Sequence, residues 1–257
     1  LPVVDTIARE PGVVELFLDD AEHENRLSDQ LCDELLAALA HLAQQPELKV
    51  LVLRGRPEVF CAGATMTALR RVLAGQLHVK DLLLSRPMLE FPVPIVGALE
   101  GHAVGGGLVL ALCCDLVVAA RGRRYSANFA SLGFTPAMGT TQLLPAAVGT
   151  ALAAEMTMTA KYYKGHELDG TRLFNHVVPA DRVLDQARVL ARRIAEQPRY
   201  VLALCKDSLS RSRRQRLAAA MSREHLMHKV CFSQPDVADV IEETYVGSRN
   251  PTQKELI

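Results

Sequence analysis

Two short turns concentrate the residues able to do chemistry. The first is Phe60-Cys61-Ala62-Gly63-Ala64-Thr65, and the second is Gly101-His102-Ala103-Val104-Gly105-Gly106-Gly107. Small residues let a backbone approach a ligand closely, and a helix start offers free N–H groups at the positive end of its dipole. Two such N–H groups aimed at one point make an oxyanion hole, each donor contributing about 3–4 kcal/mol at a transition state. Taken singly, each turn is equally readable as tight packing. The second is akin to a phosphate cradle, yet it is neither G-x-G-x-x-G nor G-x-x-x-x-G-K-[ST]. Eight histidines are present. On its own, a histidine such as His228, in a helical stretch, reads first as an exposed or satisfied core residue. His225 lies one helical turn earlier and competes with it, whereas His102 reads as a packing or backbone-orienting residue.

The elements that must position these turns follow from the hydrophobic pattern. Val13–Leu18 reads as a strand after Pro11-Gly12. Ser28 or Asp29 caps a helix through Leu31, Leu35, Leu36, Leu39 and Leu42, stopped at Pro46. Val50–Arg54, Pro94–Leu99 and Asp115–Ala119 read as buried strands. Helical stretches cover Leu82–Glu90 and Leu108–Cys114. Met66, Leu69, Val72 and Leu73 form one apolar helical face, a packing face or an acyl-pocket lining. Strand, glycine-rich turn and helix thus alternate, which predicts an α/β fold. The second half reads as helices over Thr140–Thr159, Arg182–Glu196, Arg199–Ser212, Gln215–Phe232 and Val237–Tyr245. A division into residues 1–197, holding the site, and a helical region 198–257 follows from this change.

Composition narrows the function. The chain has 257 residues, 49% hydrophobic and 23% charged, which is globular usage. Lys+Arg and Asp+Glu are 29 each, so the formal net charge is zero and a nucleic-acid partner is not expected. No apolar run reaches the roughly 18 residues that span a bilayer, and no basic-then-apolar signal segment opens the sequence. A soluble, cytoplasmic protein without a membrane partner is the expectation. The six cysteines lack C-x-x-C spacing, so neither a disulfide framework nor a metal site is expected.

The two turns together resemble the enoyl-CoA hydratase/isomerase (crotonase) superfamily. The resemblance runs almost end to end: Phe60–Ala64, Pro94-Ile95-Val96-Gly97-Ala98 leading to Gly105-Gly106-Gly107, Cys114-Asp115-Leu116-Val117, and Gly133-Phe134-Thr135-Pro136-Ala137-Met138-Gly139-Thr140-Thr141. It implies a spiral of ββα units with a C-terminal helical region, assembled as a homotrimer or hexamer. It also implies that the N–H groups of Ala64 and Gly106 hold a thioester oxygen as it becomes an enolate.

The sequence departs from a hydratase at two positions. The family's two acid/base glutamates fall at Val109 and Phe129, and neither side chain can move a proton. Oxyanion donors among apolar walls suit decarboxylation, in which the thioester carbonyl takes up the electrons left by carbon dioxide. Ser126-Ala127-Asn128-Phe129, the Gly133–Gly139 segment and Met227-His228-Lys229-Val230-Cys231-Phe232 resemble the decarboxylases of polyketide β-branching cassettes. That resemblance implies a 3-methylglutaconyl thioester on an acyl carrier protein as substrate. His228 would then bind the leaving carboxylate or protonate the dienolate.

The subgroup's active-site lysine falls at Gln76, with Lys80 four residues on, and Asn128 is a polar neighbour. Gln76, Lys80, Asn128, Phe129, Met66 and Val109 are the substrate-contact candidates. The phosphopantetheine arm comes with the carrier protein or coenzyme A, and no other cofactor is implied. Arg70, Arg71 and Lys80 are candidates for meeting an acidic carrier. Two other readings stay open at this point: an enoyl thioester isomerase of the same superfamily, and a non-catalytic protein that kept the fold.

Overall fold

The computed structural model describes residues 1–76 and 84–248. Two sheets form its frame. The larger has the order β1 (Val4–Glu10), β2 (Val13–Leu18), β3 (Val50–Arg54), β5 (Ile95–Leu99), β7 (Leu116–Ala120) and β10 (His176–Val178). The smaller runs β4 (Val59–Cys61), β6 (His102–Val104), β8 (Arg124–Ser126) and β9 (Tyr163–Lys164). The β1/β2 hairpin and the β8/β9 pair are antiparallel, and the other pairings are parallel.

One unit repeats. A strand of the large sheet (β3, β5, β7) is followed by a short strand of the small sheet (β4, β6, β8) and then by helical structure. The glycine-rich turns fall where the short strands end. Each short strand pairs with the next in parallel, so the successive turns stack side by side. The α/β expectation therefore agrees with the structure, and the ββα unit is its local form.

The apolar pattern explains the layers. On β3, Leu51 and Leu53 enter the main core, while Val50 and Val52 face a second cluster with Val183, Ala187 and Ala191 of α6 (Val183–Ala195). Both faces of the sheet are thus covered, as parallel strands require. The main core also takes Leu31, Leu35, Leu39 and Leu42 from α1 (Asp29–Ala43), capped by Ser28, whose Oγ accepts from the Leu31 N–H at 3.1 Å. Glu15 on β2 is fully buried, and its carboxylate is held by Arg9, Arg54 and Arg188.

The remaining helices are α2 (Met66–Leu73), α3 (Ser85–Glu90), α4 (Gly106–Cys113), α5 (Thr140–Thr159), α7 (Arg199–Phe232) and α8 (Val237–Ser248). α7 corrects the sequence reading. Two helices, 199–212 and 215–232, were expected, and one helix of 34 residues is found. Ser212, Arg213 and Arg214 contain no proline or glycine to stop it, and Arg213 ties the would-be break to the core through the carbonyls of Leu112 and Cys114 and the Asp115 carboxylate. Lys206, 4% exposed, donates to Asp115 at 2.7 Å and to the Met88 carbonyl at 3.2 Å. The helix expected over 82–90 begins at Ser85, and residues 77–83 of that region lie outside the described part. Among the described residues no helix is long and apolar enough to cross a membrane.

Candidate active site

The first turn leaves β4 at Cys61 and runs into α2, whose N-cap Thr65 accepts from the Ala68 N–H at 3.0 Å. The carbonyls of Ala62, Gly63 and Ala64 are engaged. The Arg26 guanidinium donates to Ala62 O at 2.9 Å and to Ala64 O at 3.4 Å, and the Leu27 N–H donates to Gly63 O at 2.7 Å. In a trans peptide the C=O and the following N–H point opposite ways. The Gly63 carbonyl is committed to Leu27, so the Ala64 N–H faces away from that bond, and it has no acceptor among the described residues.

The second turn opens α4. The Gly105 N–H donates to Ser126 O at 2.8 Å, and Gly105 O accepts from the Val109 N–H at 3.2 Å. Gly106 is the first residue of α4, so its N–H has no intrahelical acceptor and sits at the positive helix end. The turns touch. A Cβ on Gly63 would lie 2.9 Å from Val104 O and 3.7 Å from the Gly106 nitrogen, and one on Gly107 would lie 2.1 Å from Cys61 O. Glycine is therefore required where the two backbones meet.

Leu27 and Met138 wall this junction. A Cβ on Gly106 would stand 2.6 Å from Leu27 Cδ1 and 3.4 Å from Met138 Sδ. Met138 takes a positive φ of 60°, and its carbonyl accepts from the Ser85 hydroxyl at 2.7 Å. Three residues earlier in the same segment, Thr135 O lies 2.9 Å from Nε2 of His228. Three residues of chain span at most about 10 Å, so the segment brings His228 close to the glycine turns.

His228 is 4% exposed, on the inner face of α7. Its ring lies 6.1 Å from that of Phe134 and 5.8 Å from that of Phe232, and Phe129 stands 6.1 Å beyond Phe134. A carbonyl can only accept, so Nε2 carries the hydrogen. Nδ1 is buried with no hydrogen-bond partner among the described residues. Burial pushes the imidazole pKa below its ordinary value; the carbonyls of Thr135 and Pro136 work against this, and nearby His225 adds to it. Burial thus favours the neutral imidazole, whose Nδ1 lone pair has no donor among the described residues.

The other candidates are placed as follows. Asn128, 9% exposed, donates to the Tyr162 hydroxyl at 3.1 Å, and its Oδ1 lies 3.1 Å from a Cβ position on Gly105, so it backs the second turn. Phe129 and Val109 are buried, Val109 within α4. Met66 is half-buried, and its N–H donates to the Tyr245 hydroxyl at 3.1 Å. Gln76 is exposed, with its N–H bonded to Arg71 O at 2.9 Å, and Lys80 lies outside the described residues. Arg70 and Arg71 pair with Glu242 and Asp29. His102 accepts from the Arg124 N–H through Nδ1 at 2.8 Å, the orienting role expected of it. Cys61 is a thiol, its pKa pushed by burial up to about 12. A groove of about 370 Å3 between α1 and α3, lined by Leu36, Leu39, Phe91 and Pro92 among others, includes none of the candidates.

Four residues of this region escaped the sequence reading: Arg26, Leu27, Glu224 and Tyr245. Arg26 also lies over the Tyr245 ring at 4.8 Å, so α8 closes on the first turn. The signal available for the first two was Asn25-Arg26-Leu27-Ser28 ahead of a capped helix. Asn25 is buried and bonds Asp20 N, Leu18 O and Phe60 O. Among the described residues, no group of three His, Cys, Asp or Glu side chains is placed to hold a metal ion.

The ββα repeat, the paired glycine turns and the helical C-terminal region define a crotonase-fold enzyme. Residues 8–255 match the enoyl-CoA hydratase/isomerase family model, and the chain belongs to that family. Within it the chain is similar to the bacillaene synthase decarboxylase PksI of Bacillus subtilis, at 34% identity over 95% of this chain and 98% of the relative. The decarboxylase domain ECH2 of CurF from Lyngbya majuscula superposes with a TM-score of 0.90 and 34% identity, covering 95% of this chain and 100% of that one. A structure from a dehydratase/decarboxylase couple of polyketide β-branching gives the same TM-score, 0.90, at 34% identity over 93% of this chain and 98% of its own. The chain therefore groups with decarboxylases, which are lyases, within the crotonase superfamily.

Proposed function

We propose that this protein decarboxylates a 3-methylglutaconyl-type thioester carried on an acyl carrier protein, in polyketide β-branching. One observation carries the reading: His228 is buried, with an Nδ1 that has no partner among the described residues, and by the resemblance Val109 and Phe129 stand where a hydratase has its two glutamates. Among the described residues, the buried carboxylates are Glu15, Asp20 and Glu224, and all three accept structural hydrogen bonds, from Arg54, the His23 N–H and the Gly139 N–H respectively. The similarity to PksI and to the CurF domain supports the same chemistry.

In this reading the Ala64 and Gly106 N–H groups receive the thioester oxygen. The substrate carboxylate approaches His228, and its negative charge favours a proton on Nδ1, drawn from solvent. The bond between Cγ and the carboxylate carbon then breaks and carbon dioxide leaves. The electron pair passes into the conjugated thioester as a dienolate, whose oxygen the two N–H groups stabilise. His228 returns its proton to the carbanion carbon and is neutral again. One proton is consumed and one carbon dioxide released.

Asn128, Phe129, Met66 and Val109 support and line the acyl pocket, and Gln76 or Lys80 meets the substrate at its mouth. Homotrimer or hexamer assembly and a cytoplasmic location belong to the same reading. Leu204, Leu209, Leu226 and Val230 on the outer face of α7 are all more than 60% exposed, and subunit contact would cover such residues. The test is intact-mass spectrometry of 3-methylglutaconyl carrier protein incubated with the enzyme. Loss of one carbon dioxide, abolished in His228→Ala, is expected. An unchanged mass with folded enzyme and competent substrate would sink the reading and leave the isomerase, silent in mass, and the non-catalytic protein as the alternatives. The coenzyme A thioester run in parallel tells whether the carrier protein is needed.

A further inference from the structure

The N-cap of helix α5 is Gly139, which has no side chain to accept from the helix's first N–H groups. The acceptor comes from another helix. Glu224 of α7 takes the Gly139 N–H on Oε2 at 2.7 Å, and the Thr141 N–H and hydroxyl on Oε1 at 2.9 and 2.7 Å. Glu224 is 2% exposed. Burial pushes its carboxyl pKa up, and the bonds from Thr141 and Gly139 pull it back down. A neutral serine or asparagine ordinarily caps a helix without burying a charge. What the carboxylate adds is strength: charge-assisted hydrogen bonds are about twice as strong as neutral ones.

The place of this clamp matters. Glu224 and His228 are one turn apart on the same buried face of α7. His228 holds Thr135 O at one end of the Thr135–Thr141 segment, and Glu224 holds Gly139 and Thr141 at the other. Leu217, on the same face, adds a third grip, its Cδ1 lying 2.4 Å from where a Cβ on Gly139 would stand. Between the grips sits Met138, the wall over Gly106. One helix therefore sets both the histidine and the wall of the proposed oxyanion site.

We infer that Glu224 is a positioning residue for this enzyme, fixing His228 and the Met138 wall in one frame. The inference rests on the proposed role of His228. Glu224 takes no proton in the reaction and touches no substrate. A glutamine there keeps the size but turns an NH2 donor toward at least one N–H donor. Thr141→Val removes one of the three bonds at nearly constant shape, and Thr141→Ser restores it.

The experiment uses the full chain and 3-methylglutaconyl carrier protein. It compares wild type, Glu224→Gln, Thr141→Val and Thr141→Ser by kcat, KM and melting temperature. It adds the imidazole nitrogen spectrum of the substrate-free proteins, with the His228 signals assigned through His228→Ala. Glu224→Gln is expected to lower kcat about 10- to 100-fold, the size of loss that a misplacement near 1 Å brings. KM stays within about threefold, and the His228 signals move. Thr141→Val shifts both readouts the same way by less, and Thr141→Ser returns them to wild type. A folded Glu224→Gln with wild-type kcat, or with unmoved His228 signals, overturns the inference. If Glu224→Gln does not fold, Thr141→Val decides on the same two readouts. Wild type that fails to release carbon dioxide counts against the decarboxylase reading, while the imidazole spectrum still tests the clamp.

Discussion

The Leu27 N–H donates to the carbonyl oxygen of Gly63 at 2.7 Å, and the Leu27 side chain reaches across to Gly106, where a Cβ would lie 2.6 Å from its Cδ1. A single residue thus turns one proposed oxyanion donor and packs against the other. Its backbone bond survives any substitution that keeps the fold, whereas its side chain can be removed. Leu27→Ala is expected to lose about 2–5 kcal/mol of stability, as buried leucine truncations do. kcat should fall while the Gly63 bond persists. Urea unfolding and turnover of the variant check this, and a variant as stable and active as wild type would refute the packing role.

Glycine is needed at 107 for a different reason. An added Cβ would meet the Cys61 carbonyl oxygen at 2.1 Å, and that atom is backbone in the neighbouring turn. Gly107→Ala should cost about 3 kcal/mol or more and separate the two turns. Gly122→Ala, with nothing within 4 Å of the new atom, serves as the comparison and should be near neutral. Equal melting temperatures for the two variants would contradict the close approach.

The buried imidazole ties stability to pH. The folded pKa of His228 lies below its ordinary value of 6.5, so below that pH the unfolded chain binds a proton that the folded chain does not. This contribution is complete above about 6.5 and is lost as pH falls toward the lowered folded value. His228→Leu removes it. Wild type should therefore lose more stability than His228→Leu between pH 7.5 and pH 5.5, measured by urea unfolding. Parallel losses would mean that the imidazole is not held neutral.

Thr135 offers a test of the opposite sign. Its hydroxyl is buried with no partner among the described residues, although its carbonyl is bonded to His228. An orphaned donor of this kind costs about 1–3 kcal/mol. Thr135→Val replaces the hydroxyl by a methyl group and should leave stability unchanged or raise it. A drop of more than about 1 kcal/mol in the unfolding free energy would show that the hydroxyl is satisfied in solution.

Much of the frame was legible in the sequence because the large-sheet strands are runs of branched apolar residues. Val50–Arg54 and Val13–Leu18 have the bounds that the pattern predicted. The short strands β4, β6, β8 and β9 have two or three residues each, too few for any period to show. The same contrast holds at the site. The glycines announce themselves by type, and His228 by its neighbours Met227 and Phe232. Leu27 looks like any core leucine, because its role lies in a backbone N–H that no side chain encodes. Glu224 sits among exposed charged residues on an arginine-rich helix, and only the bend that brings Gly139 beneath it reveals the capping role. Tyr245 meets Met66 and Arg26 across most of the chain, a pairing no local window contains.

The unbroken run of α7 makes the site sensitive to length as well as to chemistry. Lys206 is fastened to Asp115 near its start, and His228 lies on the same buried face near its end. The interval is about six full turns, which is why both side chains point inward. A substitution between them changes one contact. An insertion or deletion of a single residue there would rotate the histidine by about 100° relative to the anchor, carrying it away from Phe134 and the Thr135 carbonyl and toward solvent. The helix acts as a ruler with the ion pair as its zero mark, so the spacing between Lys206 and His228 constrains the chain as tightly as either residue's identity.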